Sequence, residues 1–289
     1  MFRFDAEEML RLIEAHHITQ VQVVPAMLIR LLQLPEPVRS RYDLSSLTCI
    51  AHGAAPCPVH VKEQIINWFG PIVSEAYGGS EAGLVTWTDT PGWLAHPGTV
   101  GRPDDGSDVR ILAEDGSPLG PRQAGQVYVR PPEYLPDFTY LGDPAKRAAI
   151  ERDGYLSLGD IGYLDEDGYL YLTDRASDIV ISGGVNIYPA EIEQVILKLA
   201  GVRDVAVVGI PDDTYGEALA AHVAADPAAG LSADSVRNHL RGCIASYKIP
   251  RLIVFDDHLP REDSGKLFKR RLRELYWGPI RNHALTHFD

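Results

Sequence analysis

The sequence has 289 residues, of which 45% are hydrophobic and 23% charged, values that suit a globular protein of one large or two smaller domains. Its 26 glycines and 21 prolines are too few for a low-complexity chain, which excludes wholesale disorder and collagen. The formal charge of -13 argues against a nucleic-acid partner, because such binding depends on basic residues that neutralise phosphates.

Cysteine usage and hydropathy indicate the compartment. Cys49, Cys57 and Cys243 form no closely spaced pair, so we predict buried thiols in a reducing environment. No apolar run approaches the roughly 18 residues that span a bilayer, and the acidic start of the chain differs from the basic start of a signal peptide. We therefore expect no transmembrane segment and a cytoplasmic location.

Short apolar strands alternate with helices through residue 80. A first helix follows Asp5, which has the spacing of a capping box with Glu8. A second helix follows Pro25, and a third runs from Pro58 to Phe69. Strands are predicted at 21–24, 47–53 and 71–79. This alternation predicts a parallel α/β layer.

Two further regions follow. From about 97 to 173, short alternating stretches are separated by Asp-Gly and Pro-Gly turns, which predicts a β-meander or small barrel. After Arg175, the pattern predicts an amphipathic helix from Pro189 capped by Gly201, a helix after Ser232, and a last basic helix. With the strands DVAVVGI, ALAAHVAA and RLIVF, this region predicts a compact α+β unit.

Two glycine-containing turns in the first region could contact a nucleotide. In EAYGGSEAG, the turn offers backbone N–H groups to a phosphate, Glu81 offers oxygen to Mg²⁺, and Tyr77 offers a flat face to a base. In HGAAPCP, small residues allow a ligand close to the backbone. Each segment alone is equally compatible with an ordinary tight turn, and His52 with a hydrogen-bonded structural residue.

The segment 156–193 is denser in candidate residues. Asp160 in a turn could hold the two hydroxyls of a ribose, Arg175 could meet a phosphate, and Gly183-Gly184 would let a thin ligand pass. The acidic run 165–167 lacks the later ligands of a calcium loop. Each of these residues can also be interpreted without a ligand, as part of a hairpin turn, as a surface charge or as a loop glycine.

Lys266 follows a glycine in a loop before a basic helix. Position 260 is proline, where the phosphate-binding motif G-x-x-x-x-G-K-[ST] requires its first glycine, so that motif is absent here. The remaining alternative is a solvated cationic face.

The order of these segments is more informative than any of them alone. HGAAP, YGGSE, LGD, DRASD, SGG, NIYPAEIE, ASYKIP and SGK occur in the order and spacing of the acyl-adenylate-forming (AMP-binding) enzymes, and the chain resembles them up to about residue 276. The runs GGVNIYPAEIE and CIASYKIP are most similar to CoA ligases of fatty, aryl or bile acids.

The resemblance implies a mixed α/β and α+β fold with two domains. Residues 1–174 would be the C-terminal half of the large domain, with a parallel α/β layer and the meander or barrel. Residues 175–178 would form a hinge at Ser177, residues 179–277 a small C-terminal α+β lid, and residues 278–289 a tail. Relatives often carry a charged residue at the hinge, where this chain has serine.

The implied activity is ATP-dependent ligation of a carboxylic acid to coenzyme A, through an acyl-AMP intermediate, with Mg²⁺. The resemblance assigns catalysis to Lys266, Mg²⁺ binding to Glu81, and CoA binding to Gly183 and Gly184. It assigns ATP or AMP binding to Gly53, Ala54, Ala55, Pro56, Tyr77, Gly78, Ser80, Asp160, Leu172 and Arg175. The lid would rotate between the two steps.

The sequence departs from the family at its start. The Ser/Thr/Gly-rich loop that holds the β- and γ-phosphates of ATP is not found, which predicts an N-terminally truncated ligase. We expect either a separate polypeptide that supplies the missing half or a homo-oligomer. Two alternatives stay open, namely a non-catalytic nucleotide- or CoA-binding remnant and an enzyme that transfers the acyl group to a carrier protein.

Overall fold

The computed structural model describes residues 4–104, 106–261 and 267–278. The chain forms two compact units, Met1–Thr173 and Asp174–Asp289. Among the described residues, no helix combines the length and the apolar character that crossing a bilayer requires.

The first unit alternates helices and strands in its first half and is mainly β in its second half. Its helices are α1 (Ala6–His16), α2 (Pro25–Leu32), α3 (Glu36–Arg39), α4 (Val59–Phe69), α5 (Thr90–Ala95) and α6 (Pro144–Ala149). Its strands are β1 (Gln20–Val23), β2 (Cys49–His52), β3 (Val73–Gly79), β4 (Gly83–Thr88), β5 (Arg102–Pro103), β6 (Asp108–Leu112), β7 (Gly125–Arg130), β8 (Glu151–Arg152), β9 (Tyr155–Leu164) and β10 (Leu170–Arg175).

The first sheet confirms the predicted parallel layer. Its order is β1-β2-β3-β4-β5, with β1, β2 and β3 parallel and the last two strands antiparallel to their neighbours. Residues from α1, α2 and α4 pack with β1–β3 in one apolar core that includes Leu10, Leu28 and Ile65. The parallel strands β2 and β3 therefore end at the same edge of the sheet, where β2 continues into the HGAAP segment.

The second sheet contains the predicted alternating stretches. Its order is β10-β9-β7-β6, with β8 paired to β9, and the pairs β6–β7 and β7–β9 are antiparallel. Val127, Val129 and Leu156 of this sheet share a core with Tyr77 and Val85 of the first sheet. The two sheets thus pack around one apolar cluster, and residues from both can meet at its margin.

The second unit is an α+β fold. Its elements are β11 (Val180–Ser182), β12 (Val185–Ile187), α7 (Pro189–Ile196), β13 (Val202–Asp212), β14 (Gly216–Ala225), α8 (Ala233–Arg241), β15 (Leu252–Phe255) and α9 (Lys269–Trp277). The sheet order is β12-β11-β14-β13, and β15 lies parallel to β14. Helices α7 and α8 contribute Ile192, Ile196, Val236 and Leu240 to one core, whereas α9 contributes Leu272 to another.

Polar contacts hold α9 against the sheet. The buried His222 of β14 donates from Nδ1 to Asp256 Oδ2 at 2.7 Å, and its Nε2 lies 2.9 Å from the Tyr276 hydroxyl of α9. The Trp277 indole donates to the Gly209 carbonyl of β13 at 2.9 Å. Because both ring nitrogens of His222 have partners, its burial leaves no polar atom unpaired.

Local details differ from the sequence-based predictions. The Glu8 amide donates to Asp5 Oδ1 at 2.9 Å, but the Glu8 carboxylate accepts from Arg11 at 2.7 Å, so the capping box is only half formed. A guanidinium one turn away offers that carboxylate two charge-assisted hydrogen bonds, against one from a backbone N–H.

Two further predictions were wrong. Helix α7 ends at Ile196, because the Lys198 and Leu199 amides bond to carbonyls three residues back and tighten the chain into turns well before Gly201. The cysteines are free thiols as expected, but Cys243, in the turn that follows α8, is exposed, and Cys49 and Cys57 are only half-buried.

Candidate nucleotide site

The loop that follows β2 passes close to the backbone of β3. A Cβ on Gly53 would lie 2.5 Å from the Ala76 carbonyl oxygen, so this close approach requires glycine. Ala54 adopts φ +67°, a left-handed conformation that is uncommon for residues with a side chain. Gly53 therefore lies against Ala76, the neighbour of Tyr77 in β3, and small side chains follow it at Ala54 and Ala55.

Tyr77 and Asp160 meet although they are far apart in sequence. The Tyr77 hydroxyl on β3 donates to Asp160 Oδ2 on β9 at 2.8 Å, and both residues are buried. Leu172 of β10 is partly buried against the apolar cluster that contains Tyr77. The structure thus brings a tyrosine hydroxyl and a carboxylate from two sheets into contact, and Leu172 packs against the apolar cluster that contains this tyrosine.

The β3–β4 hairpin carries the Gly-Gly-Ser turn. A Cβ on Gly78 would lie 1.9 Å from the Gly83 carbonyl oxygen, so the two strands can approach only because this residue is glycine. The strand register shifts between Tyr77 and Gly78, and Ser80 is exposed in the turn. The turn therefore presents its hydroxyl and backbone to solvent.

The Glu81 carboxylate has different neighbours on its two oxygens. Oε1 accepts a 3.0 Å hydrogen bond from the Tyr140 hydroxyl, and Oε2 lies 3.2 Å from the position that a Cβ on Gly79 would take. Burial, followed by this hydrogen bond, raises the pKa of Tyr140. Among the described residues, no cluster of three or more acidic, His or Cys side chains could hold a metal. A single carboxylate fits Mg²⁺ that arrives on nucleotide phosphates rather than a resident metal.

A buried charged cluster lies beneath the HGAAP loop. Lys62 of α4 and Glu75 of β3 form a 2.7 Å salt bridge, and both side chains are almost completely buried. Burial lowers the pKa of Lys62 and raises that of Glu75, and the ion pair opposes both shifts. His52 is also buried, with Nε2 3.8 Å from Glu75 Oε2, and neither ring nitrogen has a hydrogen-bond partner within the described residues.

Acidification is expected to destabilise the chain through His52. Burial and the charge of Lys62 lower its folded pKa from 6.5 to about 3. Between these two values only the unfolded chain binds the proton. Above about pH 6.5, His52 therefore does not change the stability. Below that pH, the free energy of unfolding decreases by roughly 1.4 kcal/mol for each pH unit of acidification.

Urea denaturation from about pH 7 to about pH 4.5 checks this expectation. His52→Gln removes the titrating group, so its free energy of unfolding should depend less steeply on pH than that of the unmodified chain. Equal slopes for the two chains would contradict the assignment.

The acidic run at 165–167 has a structural role. Asp165 Oδ1 accepts from the Asp167 and Tyr169 amides at 3.0 and 2.8 Å, and Oδ2 lies 3.0 Å from Nδ1 of His96. The ring of His96 stacks on Tyr169, with 3.7 Å between ring centroids. Since the Asp165 oxygens close a turn, this segment does not resemble a cation site.

In the second unit, salt bridges and hydrogen bonds fix the segment in which β10 ends. Asp174 Oδ2 accepts from the Ala190 amide at the start of α7 at 2.9 Å. Lys269 of α9 forms a 2.8 Å salt bridge with Glu193 of α7, and Arg273 of α9 donates to the Ser177 carbonyl at 2.6 Å. Both ends of the short segment 174–177 are therefore attached to helices of this unit.

The predicted CoA-binding glycines form the β11–β12 turn. Gly183 and Gly184 have φ of +59° and +79°. The Gly183 amide donates to the Tyr215 carbonyl at 2.9 Å, and a Cβ on Gly183 would lie 3.1 Å from the Tyr215 ring. Arg175, at the end of β10, is exposed. Lys266, the predicted catalytic residue, lies outside the described residues.

Tyr140, Lys62 and Glu75 were not predicted from the sequence. Lys62 has a usable signal, since its helix buries Val61, Lys62, Ile65 and Ile66 on one face, and a lysine on such a face needs a buried anion. Tyr140 lies in a loop and has no such signal.

The fold is an α/β unit followed by a small α+β unit, and Tyr77, Asp160 and Leu172, all predicted to bind a nucleotide, lie in or beside one apolar cluster of the first unit. Residues 1–136 match the AMP-binding enzyme family, and residues 191–266 match the AMP-binding enzyme C-terminal domain. The chain belongs to the family of AMP-binding enzymes.

Similar proteins include several CoA ligases. The chain is 36% identical over 273 residues to long-chain-fatty-acid–CoA ligase of Bacillus subtilis, covering 94% of this chain and 48% of that protein. It is 40% identical over 279 residues to 3-[(3aS,4S,7aS)-7a-methyl-1,5-dioxo-octahydro-1H-inden-4-yl]propanoyl:CoA ligase of Mycobacterium tuberculosis, covering 94% and 52%. The chain spans about half the length of the curated relatives it matches.

Solved structures agree with this likeness. One is o-succinylbenzoate coenzyme A synthetase from Bacillus subtilis in complex with ATP and magnesium ion, with a TM-score of 0.77 and 32% identity. The match covers 94% of this chain and 54% of that one.

Proposed function

We propose that this chain carries the adenylate-binding and lid parts of an ATP-dependent carboxylic acid:CoA ligase acting on a fatty, aryl or steroid-like acid. The observation that carries the proposal is the buried hydrogen bond between Tyr77 and Asp160 beside the small-residue loop. This pairing joins two motifs from different sheets at one position. The likeness to CoA ligases that act on such acids supports the same reading.

Each predicted residue has a role in this proposal. The loop 53–56 and the Tyr77 ring sandwich adenine, and Asp160 accepts hydrogen bonds from the ribose hydroxyls. Ser80 and the adjoining turn contact phosphate, Glu81 would hold Mg²⁺ brought by ATP, and Arg175 contacts ribose or phosphate. Mg²⁺ would neutralise the charge of the phosphates when bound. Gly183 and Gly184 line the path of the CoA pantetheine.

The proposed reaction has two steps. An oxygen of the carboxylate attacks the α-phosphorus of ATP. The bond between that phosphorus and the oxygen that bridges to the β-phosphate breaks, and acyl-AMP and pyrophosphate form. The thiol of CoA then attacks the acyl carbon, loses its proton and displaces AMP. The protein contributes mainly orientation and charge stabilisation to such chemistry, and Lys266 supplies positive charge near the carboxylate and the α-phosphate in the first step.

Pyrophosphate exchange by a full-length form that includes the phosphate-binding loop, with a panel of fatty, aryl and steroid-like acids, tests the activity. We expect acid-dependent exchange, which Lys266→Ala lowers by about 10²- to 10³-fold through loss of transition-state charge stabilisation. AMP binding, measured by calorimetry, should persist in this variant. Unchanged exchange in Lys266→Ala would contradict the role of the lysine.

The same measurements separate the alternatives. AMP binding without exchange for any acid favours a non-catalytic remnant, whereas failure to bind AMP contradicts the nucleotide site itself. Thioester formation with a carrier protein but not with free CoA favours the carrier-protein alternative. The hinge at Ser177, the domain boundaries, a cytoplasmic location, self-association and a second polypeptide that supplies the phosphate loop stay predictions.

A further inference from the structure

Tyr140 is the polar contact of Glu81 that no sequence motif indicates. Its hydroxyl donates to Glu81 Oε1 at 3.0 Å across 59 residues of sequence. Tyr140 lies in the segment between β7 and α6, and Glu81 lies in the β3–β4 turn. A tyrosine O–H orients a carboxylate without cancelling its charge, unlike an arginine or lysine at the same place. Glu81 is therefore oriented and still available to a cation.

Helix α6 holds the segment that carries Tyr140. Arg147 donates to the Phe138 carbonyl at 3.2 Å and pairs with Asp137 at 3.0 Å and with Glu151 at 2.5 Å. The Arg147 side chain is only 15% exposed, whereas its partners Asp137 and Glu151 are 82% and 43% exposed. The contacts fix the backbone two residues before Tyr140.

The half-buried Tyr140 ring also contacts a cation and a second aromatic ring. The Lys146 ammonium lies 4.1 Å from its centroid, and Phe138 packs edge-on with 5.4 Å between centroids. A ring held in this way has few alternative positions, so its hydroxyl stays directed at Glu81. Of the two nearby cations, Lys146 lies over the ring, and Arg147 pairs with Asp137 before α6 and with Glu151 of β8.

We propose that Tyr140 is a positioning residue for the metal-bearing nucleotide: its hydroxyl holds Oε1 of Glu81 so that Oε2, above Gly79, accepts the Mg²⁺ of MgATP. This inference rests on the proposed function and adds a residue to it. Gly79 contributes by having no side chain, because a Cβ there would lie 3.2 Å from Oε2. Partners that orient a metal-binding carboxylate from behind strongly affect metal affinity.

Calorimetric titration of the full chain with three probes tests the proposal. The probes are ATP with Mg²⁺, ATP with a chelator, and AMP. We expect Mg²⁺ to increase the ATP affinity of the unmodified chain, and Tyr140→Phe to reduce that increase about tenfold, at the lower end of effects for such partners. The AMP affinity of Tyr140→Phe should stay within about twofold of that of the unmodified chain, because AMP binding does not depend on the metal.

Two variants control the result. Tyr128→Phe removes a tyrosine hydroxyl of β7 whose neighbour is Gln126, and it should leave all three affinities unchanged. Glu81→Gln should abolish the Mg²⁺ effect, and adding Tyr140→Phe to it should cause no further loss, because both act through one carboxylate. A further loss of ATP or AMP affinity when Tyr140→Phe is added to Glu81→Gln would overturn the proposal, because it would show that Tyr140 acts other than through Glu81.

The remaining outcomes are distinct. An unchanged or larger Mg²⁺ effect in Tyr140→Phe overturns the positioning role, and a larger one would show that the tyrosine competes with the metal. Normal AMP binding without any Mg²⁺ effect in the unmodified chain also overturns it, while the nucleotide site stands. If the unmodified chain does not bind AMP, the proposed function is contradicted. The positioning role of Tyr140, which rests on that function, is then contradicted as well.

Discussion

Lys62→Met is expected to lower the free energy of unfolding by about 3–5 kcal/mol. The substitution keeps the length of the side chain but leaves the carboxylate of Glu75 buried without its ammonium partner at 2.7 Å. Glu75 is 4% exposed, so water cannot replace the lost partner. Urea denaturation at neutral pH measures the change.

Two controls separate the buried charge from the loss of packing. Lys62→Met combined with Glu75→Leu removes both charges, and its stability should return to within about 1 kcal/mol of the unmodified chain or exceed it. Arg11→Ala breaks the exposed pair with Glu8 on α1 and should leave the denaturation midpoint unchanged. A double variant as unstable as Lys62→Met alone would show that packing around Lys62, not its charge, carries the effect.

Asp160→Ala is expected to weaken AMP binding by about a hundredfold or more. Under the proposed function, the carboxylate accepts hydrogen bonds from both ribose hydroxyls, and each hydrogen bond to a charged group contributes about 1.5–3 kcal/mol. A factor of ten in affinity corresponds to about 1.4 kcal/mol, so the loss of two such bonds exceeds any general perturbation of the site. Calorimetric titration with AMP measures it.

The ligand supplies the matched control for Asp160. AMP without its 2′ and 3′ hydroxyls should bind the unmodified chain and Asp160→Ala with similar affinity, because it makes neither bond. Tyr77→Phe keeps the ring and removes only the hydroxyl bonded to Asp160, so it should affect AMP binding far less than Asp160→Ala. A hundredfold loss for the hydroxyl-free ligand as well would assign Asp160 a structural role.

Much of the fold was predictable because local signals and tertiary packing agree. Pro25 begins α2, Gly70 ends α4, and Ser232 forms the capping box of α8. The predicted local hydrogen bonds were wrong where a side chain has two possible partners. Glu8 bonds to Arg11 instead of completing its cap, and the spacing of residues cannot decide between these two geometries.

The candidate site was predictable to the extent that short motifs mark it. Gly53 and Gly78 must be glycines because a Cβ at either position would clash with a backbone oxygen. This requirement is visible in the sequence as a glycine at a fixed place in each motif. The pairing of Tyr77 with Asp160 needs the two sheets to pack together, which no local pattern contains. Tyr140 and Glu75 are further cases in which the partner comes from another element and is visible only after folding.

The contacts of α9 determine how the second unit comes apart. Detaching this helix would strip His222 of Tyr276, free the Trp277 indole from Gly209, and break the Lys269–Glu193 bridge. A helix near the end of a chain usually frays and exchanges its amide hydrogens rapidly. Here the contacts of α9 with β13 and β14 would be lost on detachment, so we expect its amides to exchange as slowly as those of the cooperative core of the unit.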